Sequence, residues 1–246
     1  MQIPLIAAIV VSSLGIGGGA SAEWELVGKK AAYTLYIDSR SIRRAGDVAK
    51  MWAMFDYRSV QSIGEHSVRS IGYDFQFNCG EASIDRGPEL RYAEPMGRGT
   101  PVAARPATDA AWIPVAAGTL AETMWDIACL LHAPDRWEYV GSHRDERYYY
   151  DPTVIHKAGE ISKVRLLIDR GAPRAGGKGA TYLSTKLLYT YNCQEDTHRP
   201  GVTADYDGRM GTGRLVRYSA GKSSAYARLH LSATIATTWE LACGKS

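Results

Sequence analysis

The chain carries nearly the same text twice. Trp24, Tyr36, Asp38, Ile42, Gly46, Lys50 and Asp56 recur as Trp137, Tyr149, Asp151, Ile155, Gly159, Lys163 and Asp169, each 113 positions later. After one inserted residue the offset becomes 114. It then pairs Asn78-Cys79 with Asn192-Cys193, and Met96-Gly97-Arg98-Gly99 with Met210-Gly211-Thr212-Gly213. It also pairs Trp125-Asp126-Ile127-Ala128-Cys129 with Trp239-Glu240-Leu241-Ala242-Cys243. Register held over such a length is a tandem duplication. The period exceeds any solenoid unit, so two domains are expected, each with its own core: 23–130 and 137–246, joined by a short linker at 131–136. That linker contains Pro134 and is not Gly/Ser-rich, which restricts how the copies sit.

Each copy spells out the same elements. Glu23–Gly28 and Ala31–Ile37 read as two strands, and Asp38 as the cap of a single turn, Ser39 to Ile42, that tucks Ile42 inward. Asp151 takes the same capping role, so the two carboxylates are structural rather than a catalytic pair. Ala45-Gly46-Asp47 is a hairpin turn. Val48 to Tyr57 follows as a strand with Met51, Ala53 and Phe55 on one face, matched by Val164, Leu166 and Ile168. Tyr73, Phe75, Phe77 and Cys79 alternate with polar residues and glycine, which puts the cysteine on the apolar face. Two more strands are expected around the Met-Gly-x-Gly turn. Thr119 and Glu122 have capping-box spacing, and Ala121, Trp125, Ala128 and Cys129 share one face of a helix ending each copy. In the second copy Thr234, Ile235, Thr237 and Thr238 favour a strand by propensity. The repeat register nonetheless assigns a helix there. The fold class is therefore α+β: two tandem antiparallel sheets of about six strands, each with a C-terminal helix on one face.

Four cysteines permit three pairings. Cys79 and Cys129 are 50 apart, as are Cys193 and Cys243, and the matched spacing favours those two disulfides, each stapling helix to sheet. None lies in a CxxC pair, which argues against zinc or thioredoxin-like chemistry. Oxidised cysteines suit export. Residues 1–22, MQIPLIAAIVVSSLGIGGGASA, bear no charged side chain, contain a short apolar run and end in Ala20-Ser21-Ala22, the pattern of a cleaved signal peptide. A mature chain starting at Glu23, periplasmic or secreted to the cell surface, is expected. No cysteine follows the apolar run, so a lipid anchor is not, and no later stretch is apolar enough to span a membrane.

Motifs for chemistry fail on inspection. Gly221-Lys222-Ser223 lacks the first P-loop glycine, where Val216 stands, and Gly177-Lys178 is followed by Gly179. His143-Arg144-Asp145 lacks the other kinase signatures, and Asp205-Tyr206-Asp207-Gly208 the rest of a calcium loop. The Met-Gly-x-Gly glycines read as turn formers. No metal site, no cofactor and no nucleophile-base pair is legible, so no enzyme is expected. Charge is uneven: residues 23–130 hold 12 basic and 14 acidic side chains, residues 131–246 hold 17 and 12. Arg209, Arg214, Arg217, Lys222 and Arg228 lie close along the chain as a candidate docking surface for an anionic partner. Anionic polysaccharide, lipopolysaccharide or an acidic protein would fit; export disfavours nucleic acid.

Tyr36-Ile37-Asp38-x-x-Ser41-Ile42, Asn78-Cys79, Gly97-x-Gly99 and Leu120 to Cys129 resemble the surface-adhesin protein E family of Gram-negative bacteria. The second copy resembles it too, through Tyr149-Tyr150-Asp151-Pro152-x-x-Ile155, Met210-x-x-Gly213 and Trp239 to Cys243. The resemblance implies a six-stranded antiparallel sheet with a disulfide-held C-terminal helix. It further implies a non-enzymatic adhesin that binds host matrix and serum proteins such as vitronectin and laminin. The matching residues are scaffold and bring no binding site with them. The alternative reading is a periplasmic envelope protein acting as a spacer or assembly factor.

Overall fold

The computed structural model describes residues 23–107, 111–177, 179–219, 226–228 and 233–244. The export signal read at 1–22 lies outside them, as do Lys178 and Gly221-Lys222-Ser223. The first copy contains β1 (Glu25–Lys29), β2 (Tyr33–Ile37), β3 (Arg43–Ala45), β4 (Val48–Ile63), β5 (His66–Asn78), β6 (Ser83–Tyr92), β7 (Ala103–Arg105), β8 (Ile113–Pro114) and helix α1 (Leu120–Trp125). The second contains β9 (Glu138–His143), β10 (Glu146–Ala158), β11 (Ile161–Gly177), β12 (Ala180–Asn192), β13 (Thr197–Tyr206), β14 (Leu215–Ser219), β15 (Ala227–Arg228) and helix α2 (Ala233–Cys243). Both sheets are antiparallel, ordered β1-β2-β4-β5-β6-β7 and β14-β13-β12-β11-β10-β9. Short β3 and β8 add to the first sheet and β15 to the second.

Strand register reproduces the duplication residue by residue. Leu35 faces Phe55 where Tyr148 faces Ile168, and Met51 faces Phe75 where Val164 faces Tyr189. The offset changes at the β11–β12 hairpin tip, where the register shifts between Ala175 and Gly177. The Met-Gly-x-Gly turns are held identically. Asp56 accepts from the Met96 amide and Asp169 from the Met210 amide, each at 2.8 Å. The Ser70 hydroxyl accepts from Gly97, and that of Ser184 from Gly211, each at 2.9 Å. Gly97 and Gly211 adopt φ of +66° and +71°, a left-handed backbone that glycine alone takes without strain. In the Asn-Cys motifs, Asn78 and Asn192 each accept two amides of the following turn.

Asp38 accepts from the Arg40 amide at 3.0 Å and caps the turn Ser39–Ser41, with Ile42 against the core. Thr119 caps α1 by accepting from the Glu122 amide, while the Glu122 carboxylate reaches back to the Gly118 amide. The helix expected to run to Cys129 does so in two parts. After Trp125 it widens into a π-helical turn, Asp126–Leu131, in which His132 donates to the Ile127 carbonyl. The propensity conflict in the second copy resolves toward helix: the Tyr191 hydroxyl meets Thr238 at 2.7 Å, and Ala242 is fully buried. Packing thus outweighs the local β preference. Disulfides join Cys79 to Cys129 and Cys193 to Cys243.

The layers stack as sheet, helix, sheet, helix. The first sheet's inner face (Ala49, Met51, Ala53, Phe75, Phe77) packs on Trp125, Ile127, Ala128 and Leu131. The same apolar cluster continues into Val154, Leu188, Val202, Ala204, Tyr206 and Tyr218 of the second copy. Helix α2 covers the opposite face of the second sheet through Ile235, Trp239 and Ala242, against Val164, Leu166 and Tyr191. The second sheet is consequently buried on both faces. Residues 131–136 lie in this stack, with Leu131 and Ala133 buried. Each disulfide closes a loop with a sequence separation of 50. Replacing Cys193 and Cys243 by alanine should therefore lower unfolding free energy by about 4 kcal/mol on the chain-entropy model, measured by urea titration.

Candidate ligand-binding surfaces

The seam between the copies is built from charge. Lys163 on β11 points at the back of the first copy's helix and donates to Glu122 and Asp126, both at 2.7 Å. Two residues along, Arg165 is 0 % exposed. It donates to the carbonyls of Leu131 (3.2 Å), Ala133 (2.6 Å) and Pro134 (2.8 Å) and to the Asp151 carboxylate, also 0 % exposed. A guanidinium at the C-terminal end of a helix answers carbonyls that the helix leaves unpaired. Across the strand pair, Lys186 meets Asp135 at 2.9 Å, and both Arg165 and Lys186 lie over the Trp137 ring. The seam closes with His132 against the Tyr218 hydroxyl at 2.6 Å.

Asp151 therefore does more than its counterpart. It accepts from the Thr153 amide, as Asp38 accepts from Arg40, and also holds Arg136 and Arg165. Burial pushes its carboxyl up, but the bonds from Thr153, Arg165 and Arg136 outweigh that and leave it below the usual range. Burial lifts Asp126 to about 6 despite Lys163. Burial raises Glu122 as well, yet its bond and attraction to Lys163 hold it below the usual value. His132 is held neutral, pushed down to about 4 by burial and by the positive charges of Lys186 and Arg165.

The basic residues singled out in the second copy do not form one patch. Arg209 pairs with Asp169 (2.8 Å), Arg214 with Asp207 (3.5 Å) and Arg217 with Asp205 (2.7 Å); Arg209 and Arg217 remain about half exposed and Arg214 is 66 % exposed. Arg209 and Arg214 sit on the β13–β14 loop and Arg217 on β14. Arg228 lies opposite Thr197 at the other end of β13, eight residues from the Asp205 that faces Arg217. At about 3.4 Å per residue that separates them by roughly 27 Å. Lys222 lies outside the described residues. A second basic feature has members too far apart in the chain to be grouped by sequence: a recess of about 390 Å³ at the seam, lined by Arg44, Ala133, Pro134, Arg136, Thr153 and Val154. Among the described residues no group of three or more His, Cys, Asp and Glu side chains is placed to hold a metal, and no helix is long and apolar enough to cross a membrane.

Arg165→Met should cost about 3–5 kcal/mol in urea unfolding, because it strands Asp151 and three carbonyls in the interior. Arg165→Met with Asp151→Val should recover part of that loss, and the double-mutant cycle reads their coupling. His132 sets a pH dependence. Below pH 6.5 the unfolded chain binds a proton that the folded ring refuses until about 4, so its stabilisation is full above 6.5 and fades as pH falls. Asp126, raised to about 6, acts with the opposite sign in the same window. The difference between wild type and His132→Asn isolates the histidine: it should shrink by about 2 to 3 kcal/mol between pH 7 and pH 4.5.

The model of the surface-adhesin protein E family matches residues 24–130 and again 137–244. Solved structures similar to this chain include crystal form II of Haemophilus influenzae protein E, at 18 % identity and a TM-score of 0.35, covering 43 % of this chain and 94 % of that one. Protein E from non-typeable Haemophilus influenzae is similar at 19 % identity and a TM-score of 0.32, covering 42 % and 78 %. No curated protein matches the chain. With its two matched segments spanning most of its length, the chain belongs to the surface-adhesin protein E family and contains the family's domain in tandem.

Proposed function

We propose that this is an exported, non-enzymatic binding protein that adheres through its surface to host matrix proteins or to anionic surface ligands. The observation that carries the reading is the family match over both copies. The geometry supports it in a second way. A tandem protein whose copies are joined by buried charge and a shared apolar cluster presents its outer surfaces at fixed separation, which reduces the ordering cost of binding.

The anionic-ligand part of the proposal places the contact at the β13–β14 end, at Arg209, Arg214 and Arg217. Each guanidinium has five donors, and a single carboxylate leaves some of them free for a ligand. Arg228, at the far end of β13, contributes to a separate contact, and Arg44 with Arg136 offers a third. The alternative, a periplasmic spacer or assembly factor, draws on the same rigidity. Fractionation separates the two: surface or medium supports adhesion, strictly periplasmic material supports the spacer.

Purified oxidised protein should bind heparin, lipopolysaccharide, vitronectin or laminin saturably, and more weakly as salt rises. Arg214 is the informative position, because its partner Asp207 is itself exposed and the fold does not depend on the pair. Arg214→Glu should weaken binding about 3- to 10-fold at low salt, as expected for reversing a rim charge. Binding indifferent both to salt and to Arg214→Glu would remove this surface from consideration.

A further inference from the structure

The first copy contains a cavity between its sheet and its helix. It lies where the inner face of the first sheet parts from the start of α1, beneath the short strand β8, and its volume is about 430 Å³. Ligand pockets typically measure roughly 300–1,000 Å³. The floor is aromatic: Tyr33, Phe55 and Phe75, with ring centroids 5.1 Å apart for Tyr33–Phe55 and 6.1 Å for Phe55–Phe75. Ile84, Leu120, Ala121 and Met124 make the walls. Leu120 reaches its place because residue 28 is glycine; a Cβ there would stand 2.5 Å from the leucine methyl. Ile113, 55 % exposed, and Ala116 form one lip.

Two cations, Lys30 and Arg86, stand at the opening, both exposed. Neither has an ion pair among those of the described residues, in contrast to Arg209, Arg214 and Arg217. Arg86 also leans over Tyr73, with 6.0 Å to the ring centroid. The duplication supplies an internal comparison. At the equivalent register positions the second copy has Glu146 for Tyr33, Ile168 for Phe55, His198 for Ile84 and Pro200 for Arg86. Shared scaffold requirements therefore do not account for an aromatic floor combined with a cationic rim.

An open apolar cavity with unpaired positive charge only at its mouth is complementary to one ligand shape: an apolar chain ending in a single anion. We propose that the first copy binds single-chain amphiphiles of the medium-chain fatty-acid class, with the alkyl chain over Tyr33, Phe55 and Phe75 and the carboxylate between Lys30 and Arg86. This site is independent of the adhesion surface on the second copy.

Calorimetric titration of the oxidised full chain with octanoate and decanoate, below their micelle concentrations, tests it. One saturable site is expected, tightening about tenfold or more for the two added methylenes. Lys30→Glu with Arg86→Glu should weaken decanoate at least tenfold and leave decanol unaffected. Ala116→Trp, at an exposed lip position, should weaken both. All three substitutions are at the surface, so circular dichroism should match wild type. Absence of saturable decanoate binding would overturn the proposal. So would binding unchanged by both variants, or decyltrimethylammonium binding as tightly as decanoate.

Discussion

Everything about the arrangement of the two copies depends on one contact: the back of the first copy's helix against Lys163 and Arg165 of the second sheet. Two cations and their carboxylates are withdrawn from water there, and that withdrawal costs several kcal/mol per ion unless hydrogen bonds satisfy the charge. Here they do. Arg165 alone meets three carbonyls and a carboxylate, and Lys163 meets two carboxylates. Such a contact adds little net stability over an apolar one, but it has a single geometry. A helix displaced by one turn would leave buried charges without partners. The shared apolar cluster supplies the attraction, and the charges fix the alignment.

The same contact accounts for the asymmetry between otherwise matching copies. Lys163 and Asp169 keep the identities of Lys50 and Asp56, whereas Arg165 stands where the first copy has Trp52, and Lys186 where it has Gly72. In the first sheet this face is not covered by a helix; Lys50 is exposed and Met54 is capped by the Met96-Gly97 turn. One inherited sheet surface has thus become a solvent face in one copy and an interior in the other. The cavity lined by Tyr33, Phe55 and Phe75 shows divergence on the opposite face.

Internal repetition made much of the fold legible before any coordinates. It assigned a helix to the Thr-rich segment 233–243 against its propensity, placed the turns at Gly46 and Gly159, and put the Asp38 cap where it is found. The π-helical turn and the seam were not read. A lysine at the same position in both copies looks like a repeated surface residue, because its burial depends on what the other copy places opposite it. The apolar pattern does not distinguish the copies: Met51 to Phe55 runs Met-Trp-Ala-Met-Phe and Val164 to Ile168 runs Val-Arg-Leu-Leu-Ile, and neither alternates. The basic cluster illustrates the converse. Proximity in sequence grouped Arg217 with Arg228, but strand pairing sends them to opposite ends of β13.

The central claim is that the duplicated domains form one cooperative body. Differential scanning calorimetry of the oxidised full chain tests it most directly. If the seam joins the copies, a single endotherm appears, with calorimetric and van't Hoff enthalpies in agreement. Two resolved transitions, or a calorimetric enthalpy near twice the van't Hoff value, would show that the copies unfold separately and would contradict the account.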